Sequence, residues 1–140
     1  MIIADTSGIL ASIDTGADHH AECVKVVSGV DEPLIVSHMV VTETDYLLTT
    51  RFGVATANRF LSDVVSGAYR LAPSDEADIA TAININTRYA DHSLGIADCM
   101  NVVLAQKYHT VRIFTLDERH FRMVQPLAYG PAFQLLPFDL

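Results

Sequence analysis

The sequence predicts an α/β protein, a three-layer α/β/α sandwich with a mainly parallel central sheet. Short apolar segments rich in β-branched residues alternate with longer segments whose apolar residues recur at helical spacing, which is typical of strands joined by helices. Turn residues separate the segments, and no internal repeat or low-complexity tract interrupts them. A chain of 140 residues suits one hydrophobic core, so we expect a single domain over residues 1–140.

The first half of the chain is expected to hold two short strands and four helices. Gly53 and Gly67 each follow a helical segment at the position where a helix commonly ends. The predicted elements are a strand over Met1–Asp5, a helix over Ile9–Ile13, a helix capped by Asp18, a strand over Leu34–Val36, a helix from Ser37 to about Phe52 and a helix over Val54–Ser66.

The second half is expected to hold three strands and three helices. Pro137 has no N–H to give to a central strand, so the last strand is expected at an edge of the sheet. The predicted elements are a strand over Ala68–Leu71, a helix from a cap at Ser74 to about Tyr89, a helix starting near Ile96, a strand over Val111–Thr115, a short helix over Glu118–Phe121 and a strand over Gln134–Phe138.

Charge and composition limit the class of protein. The formal net charge is −8, from 17 acidic and 9 basic side chains, which argues against a broad electrostatic grip on nucleic acid but is compatible with a nuclease whose acids hold cations. No apolar run reaches the roughly 18 residues of a membrane-spanning helix, and no secretion signal is evident. We therefore expect a cytoplasmic protein without a membrane partner. Cys23 and Cys99 match no metal-binding pattern and are expected to be buried thiols.

Four acidic residues occupy positions where an ordinary surface charge is not expected. Asp5 and Asp117 directly follow predicted strands, where open α/β sheets place ligand-binding groups. Asp98 leads the apolar face of one predicted helix, and Glu43 lies within the apolar face of another. Simpler roles stay open, since Asp5 suits an N-cap, Asp98 complements a helix dipole, and Glu43 suits the edge of its face with its carboxylate in water.

The layered fold can bring these four acids to one rim of the sheet. Carboxylates about 5 Å apart repel by roughly 3 kcal/mol per pair at an effective dielectric constant of about 20, so such a cluster must take up protons or bind cations. Oxygen ligands without a converging His or Cys favour Mg²⁺ or Mn²⁺, and such an ion activates a water for attack on a phosphate. Arg119 and Arg122 lie just beyond Asp117 and suit either substrate contacts or ordinary surface charges.

Four segments in order along the chain resemble the PIN domain, and more narrowly the VapC-type toxins of type II toxin–antitoxin pairs. These segments are Ile2–Ser7, Ser37–Glu43, Tyr89–Cys99 and Thr115–Phe121. The resemblance implies a PIN-like sandwich and a Mg²⁺- or Mn²⁺-dependent endoribonuclease that cleaves RNA phosphodiester bonds with a metal-activated water. It also implies a cognate antitoxin protein and, commonly, a homodimer.

The same resemblance assigns roles to individual residues. It implies that Asp5, Glu43, Asp98 and Asp117 are the catalytic, metal-binding acids and that Asp91 is a further metal-binding acid. The hydroxyl residues that match those beside the family's acids, and are expected to hold them in place, are Thr6, Ser7 and Thr115. His120 belongs to the family's ending and is expected to orient the turn after the last acid.

Two other kinds of function compete with this interpretation. One is a catalytically inactive PIN-like scaffold that binds a partner, in which the acids are replaceable. The other is a phosphotransfer or phosphatase-type α/β domain, which also places acids at strand ends. A phosphotransfer domain needs a suitably placed Lys, and neither Lys25 nor Lys107 qualifies, while a phosphatase of this type needs a second Asp where Ser7 stands.

Overall fold

The computed structural model describes all 140 residues and shows a five-stranded, fully parallel sheet with helices on both faces. The predicted α/β class and parallel sheet are therefore confirmed. The strands, in the spatial order β3-β2-β1-β4-β5, are β1 (Ile2–Ala4), β2 (Leu34–Val36), β3 (Tyr69–Leu71), β4 (Arg112–Phe114) and β5 (Gln134–Leu136). The last strand lies at an edge, as Pro137 predicts.

Seven α-helices and one short 3₁₀ turn connect the strands. They are α1 (Thr6–Ile13), α2 (His20–Gly29), α3 (His38–Phe52), α4 (Val54–Ser66), α5 (Glu76–Arg88), the 3₁₀ turn Ala90–His92, α6 (Ile96–Lys107) and α7 (Glu118–Phe121). None of them combines the length and the apolar character that crossing a membrane requires. Cys23 and Cys99 are buried free thiols, as expected.

Three helix starts differ from the prediction. The first helix begins at Thr6 rather than Ile9. The second is preceded by His19, so Asp18 is not its cap. The cap of α5 is Asp75 rather than Ser74, because the Asp75 carboxylate accepts from the backbone N–H of Asp78 at 3.1 Å and the Asp78 carboxylate accepts in return from the N–H of Asp75.

The core consists of two apolar layers, one on each face of the sheet. Because successive strand residues point to opposite faces, Ile3 packs in one layer while Ile2 and Ala4 pack in the other. Helices α5 and α6 cover the first layer, and α1 to α4 cover the second. All of β1 is fully buried, so the residue that follows this central strand emerges between the two helical layers.

Glycine at position 8 lets α1 lie directly against β4. A Cβ added to Gly8 would lie 2.8 Å from the carbonyl oxygen of Phe114, a separation that real Cβ atoms essentially never show. Only glycine therefore permits this approach without a shift of the backbone. The close contact brings the start of α1 next to the residues that follow β4.

Candidate active site

The candidate site lies at the carboxyl ends of the neighbouring strands β1 and β4. These strands pair in parallel, with Ala4 opposite Phe114, and the backbone N–H of Asp5 donates to the Phe114 carbonyl at 2.9 Å. Asp5 and Thr115 are therefore side by side where the two strands end, and Asp117 follows two residues later. This is the part of a parallel sheet where ligand-binding groups usually gather.

Four acidic side chains from four separate elements line one cavity of about 290 Å³, here called the acidic cavity. Asp5 comes from the end of β1, Glu43 from α3, Asp98 from α6 and Asp117 from the segment after β4. The remaining lining residues are Thr6, Ser7, Leu10 and Leu47. The structure thus brings together the four acids singled out in the sequence, while their catalytic role stays a prediction.

Glu43 reaches this cavity from the edge of the buried face of α3. The buried residues of α3 are Val40, Thr44 and Leu48, and Glu43 itself is exposed. Of the two positions that the sequence left open for Glu43, the edge of the face is therefore the observed one, because the buried stripe runs through Thr44 and Leu48 instead of Glu43 and Leu47. Its carboxylate lies at the edge of the face and also borders a second groove, which contains Met39.

Asp5 is the most enclosed acid of the cavity, with only 5% of its surface exposed. Its Oδ2 accepts hydrogen bonds from the hydroxyls of Thr115 at 2.7 Å and Ser7 at 3.1 Å, and its Oδ1 accepts from the Nδ2 of Asn101 at 3.0 Å. Asp5 occupies the N-cap position of α1, but its side chain makes no cap hydrogen bond. These hydrogen bonds therefore orient the carboxylate within the acidic cavity, and the carboxylate does not cap α1.

Two of the three predicted hydroxyl residues hold the acids in place. Thr115 Oγ1 contacts Asp5 and accepts from the backbone N–H of Asp117 at 3.0 Å, so one hydroxyl ties two of the acids together. Ser7 Oγ contacts Asp5, accepts from the N–H of Leu116 at 2.9 Å and lies 3.0 Å from Thr115 Oγ1. The Thr6 hydroxyl is buried without a hydrogen-bond partner and makes no such link.

Replacing Thr115 by Val is expected to lower the free energy of unfolding by about 1–3 kcal/mol. Valine has the same shape but leaves the buried Asp5 carboxylate without its shortest hydrogen bond and the Asp117 N–H without its acceptor. Thr115→Ser keeps the hydroxyl and is the matched control. Urea titration of the three proteins measures the effect, and equal midpoints for the Val and Ser variants would contradict it.

His120 lies between two acids of the cavity. Its Nδ1 is 2.9 Å from Asp117 Oδ2 and 3.1 Å from Asp98 Oδ2, although neither contact has hydrogen-bond geometry. The backbone N–H of His120 also donates to Asp117 Oδ1 at 3.0 Å, which makes Asp117 the N-cap of α7. The expectation that no histidine converges on the acids is therefore wrong. Its proximity to Asp98 depends on the packing of α6 against the sheet, which sequence spacing does not reveal.

The electrostatics of the cavity favour protons or cations. Burial raises the pKa of Asp5 despite the opposing hydrogen bonds from Thr115 and Ser7. Burial, together with the charge of Asp5, raises the pKa of Asp98 to about 6, while His120 acts in the opposite direction. Burial, reinforced by repulsion between the carboxylates, therefore lets Asp98 keep a proton up to about pH 6. A divalent cation relieves the same repulsion without protonation.

The donor atoms present fit a divalent cation. Asp98, Asp117 and His120 each offer one ligand atom, and these atoms lie within 4.8 Å of one another. Together with Asp5 and Glu43 they give a set dominated by carboxylate oxygens, which suits Mg²⁺ or Mn²⁺.

Two further predicted site residues lie away from the acidic cavity. Asp91 is exposed on the 3₁₀ turn and does not line the cavity. Arg122 is engaged elsewhere, since both of its terminal nitrogens contact the Asp139 carboxylate and one also contacts Glu118 at 3.1 Å. This ion-pair network joins Arg122 to the carboxyl-terminal segment, and a contact of Arg122 with substrate stays a prediction. Arg119 is exposed and forms no ion pair.

Asn101 is the residue of the site that sequence reasoning missed. It is completely buried and donates to Asp5 across the interface between α6 and β1. A signal for it was present, because Asn101 is the one strongly polar residue within the buried segment Cys99–Ala105 of α6. A buried amide in such a segment requires a hydrogen-bond partner.

Comparison with known proteins identifies the family that has this fold and this kind of site. The PIN domain model matches residues 2–125, which is most of the chain. The protein belongs to the PIN domain family, and the predicted membership is confirmed.

Individual relatives indicate which PIN domain proteins this chain is similar to. Ribonuclease VapC26 of Mycobacterium tuberculosis is 41% identical over 136 residues, covering 97% of this chain and 100% of the relative. The crystal structure of VapC20, a sarcin–ricin-loop-cleaving toxin of M. tuberculosis, matches with a TM-score of 0.78 at 20% identity, covering 84% of this chain and 90% of that one. A toxin–antitoxin complex from Klebsiella pneumoniae matches with a TM-score of 0.66 at 14% identity, covering 89% and 92%. The two structures support the fold alone.

Proposed function

We infer that this protein is a divalent-metal-dependent endoribonuclease of the VapC type and acts as the toxin of a toxin–antitoxin module. Its family and its similarity to a ribonuclease over nearly its whole length support the activity. The observation that carries the assignment of the site is the convergence of Asp5, Glu43, Asp98 and Asp117 on the acidic cavity. We propose these four residues as the catalytic and metal-binding acids.

The cation is proposed to be Mg²⁺ or Mn²⁺, held by Asp5, Asp98 and Asp117, with His120 and Glu43 at the border of the site. When bound, such an ion stabilises charge on the scissile phosphate and lowers the pKa of the attacking water. Asp91 does not line the acidic cavity and is not included in this proposed ligand set.

The protein's own side chains prepare the site for this chemistry. Hydrogen bonds from Ser7, Thr115 and Asn101 keep the Asp5 carboxylate in one orientation, which lowers the cost of reorganisation during the reaction. Glu43 is the most exposed of the four acids and lies where bulk water reaches the site. Arg119, free of ion pairs, is the nearest candidate in sequence for a contact with the RNA backbone.

The proposed partners follow from charge and exposure. A cognate antitoxin with a basic segment would complement both the acidic cavity and the net charge of −8. A homodimer is proposed because exposed apolar side chains, Tyr46, Phe52, Val54 and Val65, lie on α3 and α4. We further propose that the protein acts in the cytoplasm, where its RNA substrates occur.

RNA cleavage in the presence and absence of a divalent cation tests the proposed function. We expect the purified chain to cleave RNA with Mg²⁺ or Mn²⁺ and to stop when a chelator is added. Asp117→Asn removes one proposed ligand and is expected to lower the cleavage rate by at least about 100-fold.

Asp31→Asn is the matched control for this experiment. It removes the same charge from an exposed loop residue outside the cavity, so its cleavage rate is expected to equal that of the unchanged chain. Cleavage that persists in chelator, or an Asp117→Asn variant as active as the control, would exclude the proposed site. An intact chain that cleaves no RNA under any metal condition would favour the partner-binding scaffold.

A further inference from the structure

Asn101 occupies a position where helix packing alone would favour an apolar residue. Its exposed surface is zero, and it lies in an unbroken buried segment of α6 that includes Met100 and Val102. A leucine of similar size would fill such a site without a polar group to satisfy. The amide must therefore be explained by what it contacts.

The only hydrogen bond of the Asn101 side chain runs from Nδ2 to Asp5 Oδ1, at 3.0 Å, while its own Oδ1 has no partner. An ionised carboxylate accepts hydrogen bonds but donates none, so the amide nitrogen must face Asp5. Burying the amide oxygen without a partner costs free energy, and the hydrogen bond to Asp5 has to offset that cost.

Asn101 is the side-chain donor to the Asp5 oxygen that the two hydroxyls leave free. A carboxylate offers about four lone-pair sites, two on each oxygen. Side-chain donors occupy both sites on Oδ2, through Ser7 and Thr115, and one site on Oδ1, through Asn101. The site left free by these side chains is on Oδ1, and the direction in which it points depends on the Asn101 hydrogen bond.

We propose that Asn101 is a positioning residue that orients the Asp5 carboxylate for binding of the divalent cation. The proposal rests on the proposed function, because it requires a cation at the acidic cavity. The two hydroxyls on Oδ2 fix one end of the carboxylate, and Asn101 fixes the other. Without it, Oδ1 is free to turn away from the cavity, and the cation loses a prepared ligand.

The test uses the full 140-residue chain and Mn²⁺ alone as the probe, with binding measured by titration calorimetry. Asn101→Leu is expected to weaken Mn²⁺ binding by about 10- to 100-fold, the effect typical of residues that orient metal ligands. The metal-free variant is expected to stay folded with a thermal midpoint no more than about 10 °C lower, because it loses one hydrogen bond to the Asp5 carboxylate but also removes an unsatisfied buried oxygen.

Met100→Leu is the matched control, since it changes a fully buried neighbour on the same helix and conserves volume. Its Mn²⁺ affinity is expected to stay within about twofold of the unchanged chain. If Asn101→Leu does not fold, Asn101→Ala replaces it, because alanine also lacks a donor and introduces no added bulk.

The outcomes separate this inference from the proposed function. Loss of Mn²⁺ affinity in the folded Asn101 variant, with the Met100 control unaffected, supports the positioning role. Equal affinity of the Asn101 variant and the unchanged chain overturns that role alone. If the unchanged chain binds no Mn²⁺, or if Asp5→Asn binds it equally well, the proposed metal site itself fails.

Discussion

Asp5→Asn is expected to lower the rate of RNA cleavage by about 10³-fold or more while leaving the fold intact. The substitution removes the charge from the most enclosed acid of the cavity and changes one oxygen to an amide nitrogen. The rate falls because the site loses both a cation ligand and the negative charge that attracts the cation.

We expect the variant to stay folded because the neighbouring side chains can form hydrogen bonds with the new amide. Its oxygen can take the place of Oδ2 and accept from Thr115 and Ser7. Its nitrogen then meets Asn101, whose amide can turn so that the presently unpartnered Oδ1 accepts the new hydrogen bond. The variant also no longer buries a charge, which removes a desolvation cost.

Initial rates on a defined RNA, together with thermal midpoints of the metal-free proteins, measure this prediction. Asp31→Asn serves again as the control, because it removes an equal charge from an exposed residue. A variant that is folded and still cleaves at more than about a tenth of the normal rate would rule out Asp5 as a catalytic acid.

We also expect the free energy of unfolding to depend on pH and on bound metal, because of the Asp98 carboxyl group. Its pKa in the folded protein is raised from 3.8 to about 6, chiefly by burial and by the charge of Asp5. The folded state thus holds this proton more tightly than the unfolded state does. The resulting contribution to stability is fully present below the unfolded pKa and is lost as the pH rises through the folded value.

Comparison with Asp98→Asn isolates this contribution, because asparagine does not titrate. In the absence of metal, we expect the free energy of unfolding of the unchanged chain, relative to the variant, to fall by about 1 kcal/mol between pH 5 and pH 7.5. Denaturant titration at the two pH values measures it. A difference that stays constant with pH would show that Asp98 titrates normally in the folded state.

A divalent cation is expected to offset the stability that is lost as the pH rises. If the cation binds the ionised form of Asp98 as proposed, the rise in thermal midpoint caused by Mg²⁺ or Mn²⁺ is expected to be larger at pH 7.5 than at pH 5. In Asp98→Asn most of that rise should disappear at both pH values. A rise of equal size in the variant would place the cation elsewhere.

The sequence determines much of the fold because the relevant signals are local. Alternation of short apolar segments with amphipathic helices predicts the parallel sheet, and Pro137 predicts the edge position of β5. Helix ends at Gly53 and Gly67 agree with the structure. The helix starts near Asp18 and Ser74 were misplaced, because several neighbouring polar residues can serve as a cap and only the backbone decides which does.

The candidate site is less accessible to sequence reasoning. Asp5 and Asp117 could be recognised as candidate site residues because they directly follow predicted strands. Ligand-binding groups gather at the carboxyl ends of parallel strands. The sequence left open whether Glu43 lies in the middle or at the edge of its helix face, since a rotation of one residue moves a side chain by about 100°. The ion pair between Arg122 and Asp139 could not be predicted, because the fold of the carboxyl-terminal segment brings the two residues together.

The α/β class, the parallel sheet and the acids around which the site is built follow from the sequence, because strand and helix periodicity and the chemistry of carboxylates are properties of short segments. Which polar groups hold those acids depends instead on how the helices pack against the sheet. The contacts of Asp5 with Asn101 and of Asp98 with His120 join residues that are distant along the chain. Such contacts exist because α6 packs across the sheet beside β1, and the energy of that packing is spread over the whole apolar layer.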